Sequence, residues 1–182
     1  MHYGTIKQHD IANGPGIRVS LFVSGCSNHC EGCFQPQTWD KFYGTEYTND
    51  TKQSILSVMR SSIHVGLTIL GGEPFEIYNQ PEVADLIKDF RDEFGDTKNI
   101  WTYTGFLYQD LLPDGKQYLP NITDTILDHI DVLVDGPFVL AKRNLMLKFR
   151  GSENQRIIDM RATRNPTSTK GIDNGVILWY NN

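Results

Sequence analysis

Four short apolar runs constrain the fold of this chain more than any other feature: IRVSLFVS at 17–24, VGLTIL at 65–70, NIWTYT at 99–104 and DVLVD at 131–135. Each has the length and the β-branched or aromatic content of a strand. In the first, Ile17, Val19, Leu21 and Val23 alternate with other residues, and Phe22 on the second face indicates that both faces are covered. Segments of helical period separate the runs. Asn49–Thr51 offers capping side chains for a helix to about Ser62 that turns Ile55, Leu56, Val58 and Met59 inward. Pro81 suits the first turn of a helix whose Val83, Ala84, Leu86, Ile87, Phe90 and Phe94 form one stripe. A short helix after Gly105, a hydrophilic turn at Leu112–Gln117 and a helix over Ile122–His129 follow. RIIDM, Arg156–Met160, reads as a fifth strand. Such alternation implies right-handed crossovers, so the expected class is α/β with a mainly parallel sheet. Asn165–Gly175 reads as a loop before a last apolar segment, Val176–Tyr180. Residues 1–182 are expected to form one domain, with a tail after about residue 160.

Composition narrows the function. The 182 residues are 39% hydrophobic and 21% charged, as in ordinary globular domains. The net charge is −5, from 17 basic and 22 acidic residues, and no basic run occurs. That argues against nucleic acid as the partner, because binding its backbone needs clustered Lys and Arg. No stretch resembles a signal peptide or reaches the roughly 20 apolar residues of a membrane span, so a cytoplasmic location is expected.

The unusual residues gather after the strands. Cys26–Cys33 follows the first run, GGEP at Gly71–Pro74 the second, Tyr103–Gly105 ends the third and Asp135–Phe138 the fourth. In a parallel sheet these loops share the carboxyl edge, where α/β folds bind ligands. All three cysteines of the chain, Cys26, Cys30 and Cys33, lie in the first loop, CSNHCEGCF. Thiolates favour zinc, copper(I) or iron–sulfur clusters. Zinc needs a fourth ligand, and His29 directly precedes Cys30, a poor geometry for one tetrahedral ion. A redox pair at Cys30 and Cys33 leaves Cys26 without a role. The third option is a four-iron cubane held by three cysteines, with one iron left open.

The C-x3-C-x2-C spacing, with GGEP after the next strand, resembles the radical S-adenosylmethionine (SAM) enzymes. That resemblance implies a partial, open barrel of βα units and a 4Fe-4S cluster on Cys26, Cys30 and Cys33 whose free iron chelates SAM. It further implies that Gly71, Gly72, Glu73 and Pro74 receive the SAM amino group, and that Gly32, Cys33 and Phe34 approach the adenine. Many members carry an aromatic residue where this chain has Gly32, which leaves backbone contact there. The stretch Asn13–Asp40, together with LTILGGEPF, WTYTGF, DVLVDGPF and FRGSENQRIID, is similar to the anaerobic ribonucleoside-triphosphate reductase activating proteins over residues 1 to 160.

Membership in that family implies an oxidoreductase that cleaves SAM reductively and leaves a glycyl radical on the large reductase subunit. A low-potential donor such as a flavodoxin would supply the electron, and no acid–base residue is needed. Weaker expectations attach to Arg18, Thr104, Asp135 and to Asn154 within FRGSENQ, as contacts to SAM or to the partner. Related activases place a monovalent cation near these loop ends, where Tyr103 here replaces a carboxylate. Trp39 and Trp101 read as packing residues. The alternatives are an activase of pyruvate formate-lyase, a small-molecule radical SAM enzyme, and a metal-binding module without catalysis.

Overall fold

The computed structural model describes residues 1–165 and 175–179, and the backbone of 172–173. The strands are β1 His2–Asp10, β2 Ile17–Val23, β3 Thr45–Glu46, β4 His64–Gly71, β5 Asn99–Tyr103, β6 Val132–Asp135 and β7 Arg156–Asp159. They form one mixed sheet in the order β3-β1-β2-β4-β5-β6-β7. The central strands β2, β4, β5 and β6 run parallel, as the alternation with helices requires. β3 and β7 are the two edges and do not pair with each other, so the sheet is open. A two-stranded ribbon, β8 Ile172–Asp173 with β9 Val176–Ile177, lies outside it, and Leu178 bridges back to Ile158. The expected loop Asn165–Gly175 therefore contains a strand, while its residues 166–171 and 174, and Tyr180 beyond, lie outside the described residues.

The three longest helices match their sequence signals. α1, Asn49–Met59, starts one residue after Thr48, whose hydroxyl accepts from the Thr51 amide, and it ends three residues before Ser62. α2 is Gln80–Phe94, with Pro81 in its first turn, and α3 is Ile122–His129. A short α4, Met160–Arg164, is capped by Asp159. The expected short helix after Gly105 is a single 3-10 turn at Tyr108–Leu111. Inward residues of α1, α2 and α3 pack on Val19, Leu21, Leu67, Ile69, Ile100 and Leu133 to form the main core.

Two features of the sheet depart from expectation. β1, not anticipated, pairs antiparallel to β2 and lengthens the sheet on that side. β7 is the expected fifth strand, yet it runs antiparallel to β6. The reason is its connection: residues 136–155 contain one 3-10 turn and no α-helix, so the chain returns without a crossover.

The opposite face of the sheet is built in rows. Register places Ser20 beside Thr68 and Thr68 beside Trp101, with Phe22 beside Leu70 one row nearer the carboxyl edge. Beneath them lies Arg18, fully buried. Its Nε donates to Thr68 Oγ1 at 2.6 Å, Nη1 to Asn99 Oδ1 at 2.7 Å and Nη2 to the Leu67 carbonyl at 2.8 Å. The guanidinium lies 5.6 Å from the Trp101 ring. Burial lowers its pKa to about 10, so it stays charged at neutral pH. Arg18 ties β2, β4 and β5 together from within, and its donors are spent on protein acceptors. Replacing it with Leu strands those acceptors and is expected to cost about 3 kcal/mol. Urea unfolding checks this, and a loss below about 1 kcal/mol would contradict the clamp.

Candidate active site

The cysteine loop leaves β2 under tight main-chain control. The Ser24 amide donates to the His2 carbonyl at 2.9 Å, Gly25 to Thr38 at 2.7 Å and Cys26 to Trp39 at 3.3 Å. The unanticipated β1 thus sets where the loop begins. Inside the loop the Ser27 amide donates to Glu76 Oε1 at 2.7 Å, and Cys33 to the Cys30 carbonyl at 3.1 Å. The His29 ring stacks obliquely on Trp39, with 4.6 Å between centroids.

The Gly71–Glu73 turn is docked against this loop. The Gly72 amide donates to Val23 at 2.7 Å and Glu73 to Gly25 at 2.8 Å. A Cβ on Gly72 would stand 2.6 Å from the Gly25 carbonyl, and Gly71 has φ +112, so both positions require glycine. Asn79 fastens the junction by donating to the carbonyls of Ser24 and Glu73, at 2.9 Å each.

Glu73 joins three strand ends. It is fully buried, and its Oε2 accepts from the Gly105 amide at 2.7 Å and from Asn28 Nδ2 at 3.0 Å. Its Oε1 accepts from the Phe75 amide at 3.0 Å, and the Thr104 hydroxyl also bonds to it. Asn28 lies 3.8 Å from Cys26 Sγ by the same nitrogen. Asn28 and Glu76 escaped the sequence reading. An Asn in a loop carries no pattern, and only the fold brings it to a residue 45 positions away.

Cys26, Cys30 and Cys33 are free thiols, each half-buried, and all three line one cavity of about 600 Å³. Its size suits a nucleoside-sized ligand. Phe34, Gly71, Gly72, Glu73 and Thr104 share its wall. Gly32 is not on the wall, and its Cα faces Leu140. Pro74, Arg18, Asp135 and Asn154 are also off it. Asp135 is buried, paired with Arg156 at 2.5 Å and accepting from the Tyr108 amide at 2.7 Å. Asn154 donates to the Pro137 carbonyl at 2.8 Å and lines a smaller neighbouring groove. Trp39 lines the cavity, whereas Trp101 packs in the second apolar cluster with Val132 and Val134.

The donor set suits an iron–sulfur cluster. Among the described residues, no three His, Cys, Asp or Glu side chains gather closely enough to hold one metal ion. Three soft sulfurs facing a roomy cavity fit a larger inorganic group. Burial pushes the Cys26 thiol up to about 11, so loading it with metal must release a proton.

Comparison with known proteins agrees with this chemistry. Residues 12–158 match the family described as 4Fe-4S single cluster domain. A relative from Enterobacteria phage T4 is 36% identical over 159 residues, covering 86% of this chain and 93% of its own. One from Vibrio cholerae is 36% identical, covering 86% and 97%, and one from Escherichia coli is 34% identical, covering 88% and 100%. All three are named anaerobic ribonucleoside-triphosphate reductase-activating protein. This chain belongs to that family. All three of its cysteines fall within the matched residues. Among the described residues no helix is long and apolar enough to cross a membrane.

Glu73 gives the site a measurable signature. Burial pushes its carboxyl from 4.5 up to about 7, against the pull of its Phe75, Gly105 and Thr104 donors. Between those values the folded chain keeps a proton that the unfolded chain has lost. Stability therefore falls as pH rises from about 4.5 to about 7 and is level above. The shift corresponds to about 3 kcal/mol. The stability difference between wild type and Glu73→Gln should move by that amount, in the variant's favour, between pH 4.5 and 8. Chemical denaturation of the cofactor-free proteins measures it, and a difference independent of pH would contradict the assignment.

Proposed function

We propose that the chain is a SAM-dependent activating enzyme, an oxidoreductase that places a glycyl radical on anaerobic ribonucleoside-triphosphate reductase. One observation carries the reading. The only three cysteines of a chain in this family share one cavity with the Gly71–Glu73 turn at the carboxyl edge of the sheet. The relatives' printed names favour this target over pyruvate formate-lyase or a small molecule. The open sheet is read as a partial barrel of the radical SAM type, and residues 1–182 as one domain.

When bound, the cluster and SAM supply a one-electron cleavage that ends with a hydrogen atom taken from a glycine Cα of the reductase. The chain's residues bind and orient. Cys26, Cys30 and Cys33 would hold three irons. Gly71 and Gly72 let the main chain approach the SAM amino group. Glu73 would act there by charge rather than by direct bonding, because protein donors already occupy its oxygens. Cys33 would offer backbone, and Phe34 a ring, toward the adenine, whereas Gly32 lies off the cavity wall. Phe34 is 67% exposed, with the Arg143 guanidinium 5.2 Å from its centroid, so it has room to turn. Thr104 shapes the wall through its bond to Glu73. Arg18, Asp135 and Asn154 support the strands and loops beneath. A low-potential donor such as a flavodoxin would supply the electron, and the reaction belongs in the cytoplasm.

Two outcomes test the proposal. Alanine at any of the three cysteines should abolish SAM cleavage and iron loading while the fold persists, since none of the core residues depends on these thiols. The reductase should also raise the rate of 5′-deoxyadenosine release, because its glycine segment must complete the walls that exclude water. Release measured with and without reductase, at equal reductant, decides the second. An equal rate in both would contradict the activating role.

A further inference from the structure

The connection from β6 to β7 folds into a strap with two unlike sides. Arg143 bridges Ser152 in antiparallel fashion, the Glu153 amide donates to the Lys142 carbonyl at 2.9 Å, and the Asn144 amide donates to Gly151 at 3.3 Å. Asn144 builds the tip. Its Oδ1 accepts from the Met146 amide at 2.9 Å, its carbonyl from the Leu147 amide at 3.3 Å, and its Nδ2 donates to Glu153 Oε1 at 2.9 Å. This turn holds Leu145 and Met146 away from the protein. They are 79% and 88% exposed, the two highest values among the large hydrophobic side chains of the described residues. The returning limb does the opposite: Leu147, Phe149 and Arg150 line the cavity. Charge sets the strap apart as well. Lys142, Arg143, Lys148 and Arg150 flank the tip, no carboxylate occurs between Asp135 and Glu153, and the chain as a whole carries −5. Arg143 lies over the Phe34 ring and Arg150 donates to the Gln155 carbonyl. Among the described residues none of the four forms a salt bridge.

We propose that the strap's tip is a docking knob for the reductase: Leu145 and Met146 enter an apolar socket on that protein, rimmed by carboxylates that face Lys142 and Lys148. This rests on the activating role proposed above. The limb that carries the tip also forms part of the cavity wall, so a protein that places a segment in the cavity lies across the tip. Cations alone would suit a nucleic acid, but two apolar side chains set between them find no partner on a phosphate backbone. An apolar centre within a charged rim is the pattern of a protein interface. A second copy of this chain fits less well, because a two-fold pairing of straps would bring the same unpaired cations together. Carboxylates on the partner answer both halves of the surface. The exposed cations would speed its encounter, and the apolar tip would hold it.

Two double variants test the knob, each in reconstituted protein at equal iron content. Leu145→Ser with Met146→Ser should raise the KM for purified reductase in glycyl-radical formation by about tenfold or more, as expected for losing two buried apolar side chains. SAM affinity, and the rate at saturating reductase, should stay within about twofold of wild type. Lys142→Glu with Lys148→Glu should raise the same KM about tenfold at low salt. It should also abolish the rise in KM that wild type shows between about 0.05 and 0.3 M salt. A KM within about twofold of wild type in either variant would overturn the proposal. So would a tenfold loss of SAM affinity in the serine variant, which would make the tip part of the SAM site. Sedimentation without reductase should give wild type and the serine variant the same mass, and loss of a dimer in the variant would assign the tip to a second copy instead. The urea midpoints should match, since both tip side chains stand in water, and a lowered one would show that the tip packs within its own chain and would overturn the knob. Failure of the activating role is a separate result: wild-type protein would then form no radical on the reductase at all.

Discussion

The site depends on one buried carboxyl group. Glu73 receives the amide of Gly105 from the end of β5, the Asn28 side chain from the cysteine loop and the amide of Phe75 from its own turn. Its own amide bonds back to Gly25. Three loops that leave three parallel strands are thereby locked in register. A carboxyl group placed out of water is costly, and only this set of donors makes it tolerable. The same set fixes the path of the loop that carries the cysteines, so sulfur placement is coupled to the geometry of the neighbouring strand ends.

That coupling explains how a small α/β sheet presents a soft ligand set without a rigid disulfide or a fourth cysteine. The helices supply an apolar core on one face. The other face is stacked in rows: Arg18 at the base, Ser20, Thr68 and Trp101 above it, and then Phe22, Leu70 and Tyr103 under the cavity. Arg18 fills the base with a cation that spends its donors internally. The cavity is thus floored by protein rather than by solvent, a condition for handling a reactive species.

Much of this was legible in the residues. The central strands and the three main helices follow from apolar period and capping, because local preference and tertiary burial agree there. The cysteine spacing pointed to the cluster chemistry that the family comparison supports. β1 was hidden because it lies near an edge of the sheet and much of HYGTIKQHD is exposed, leaving no apolar alternation to read. The direction of β7 depends on a connection without a helix, which the strand's own residues do not encode. Arg18 looked like a possible ligand contact because its partners, Thr68 and Asn99, lie 50 and 81 residues away. Asn28 was hidden for the same reason: its partner Glu73 lies 45 residues away.

The central claim is that this cavity, loaded with cluster and SAM, creates a radical on a glycine of the reductase. Electron paramagnetic resonance of the purified reductase, incubated anaerobically with reconstituted protein, SAM and a low-potential reductant, tests it most directly. The account predicts a glycyl-radical signal that requires every component and collapses from a doublet when the glycine Cα is deuterated. An equal signal with the Cys30→Ala protein, or no signal from fully loaded wild type in the presence of SAM cleavage, would contradict it.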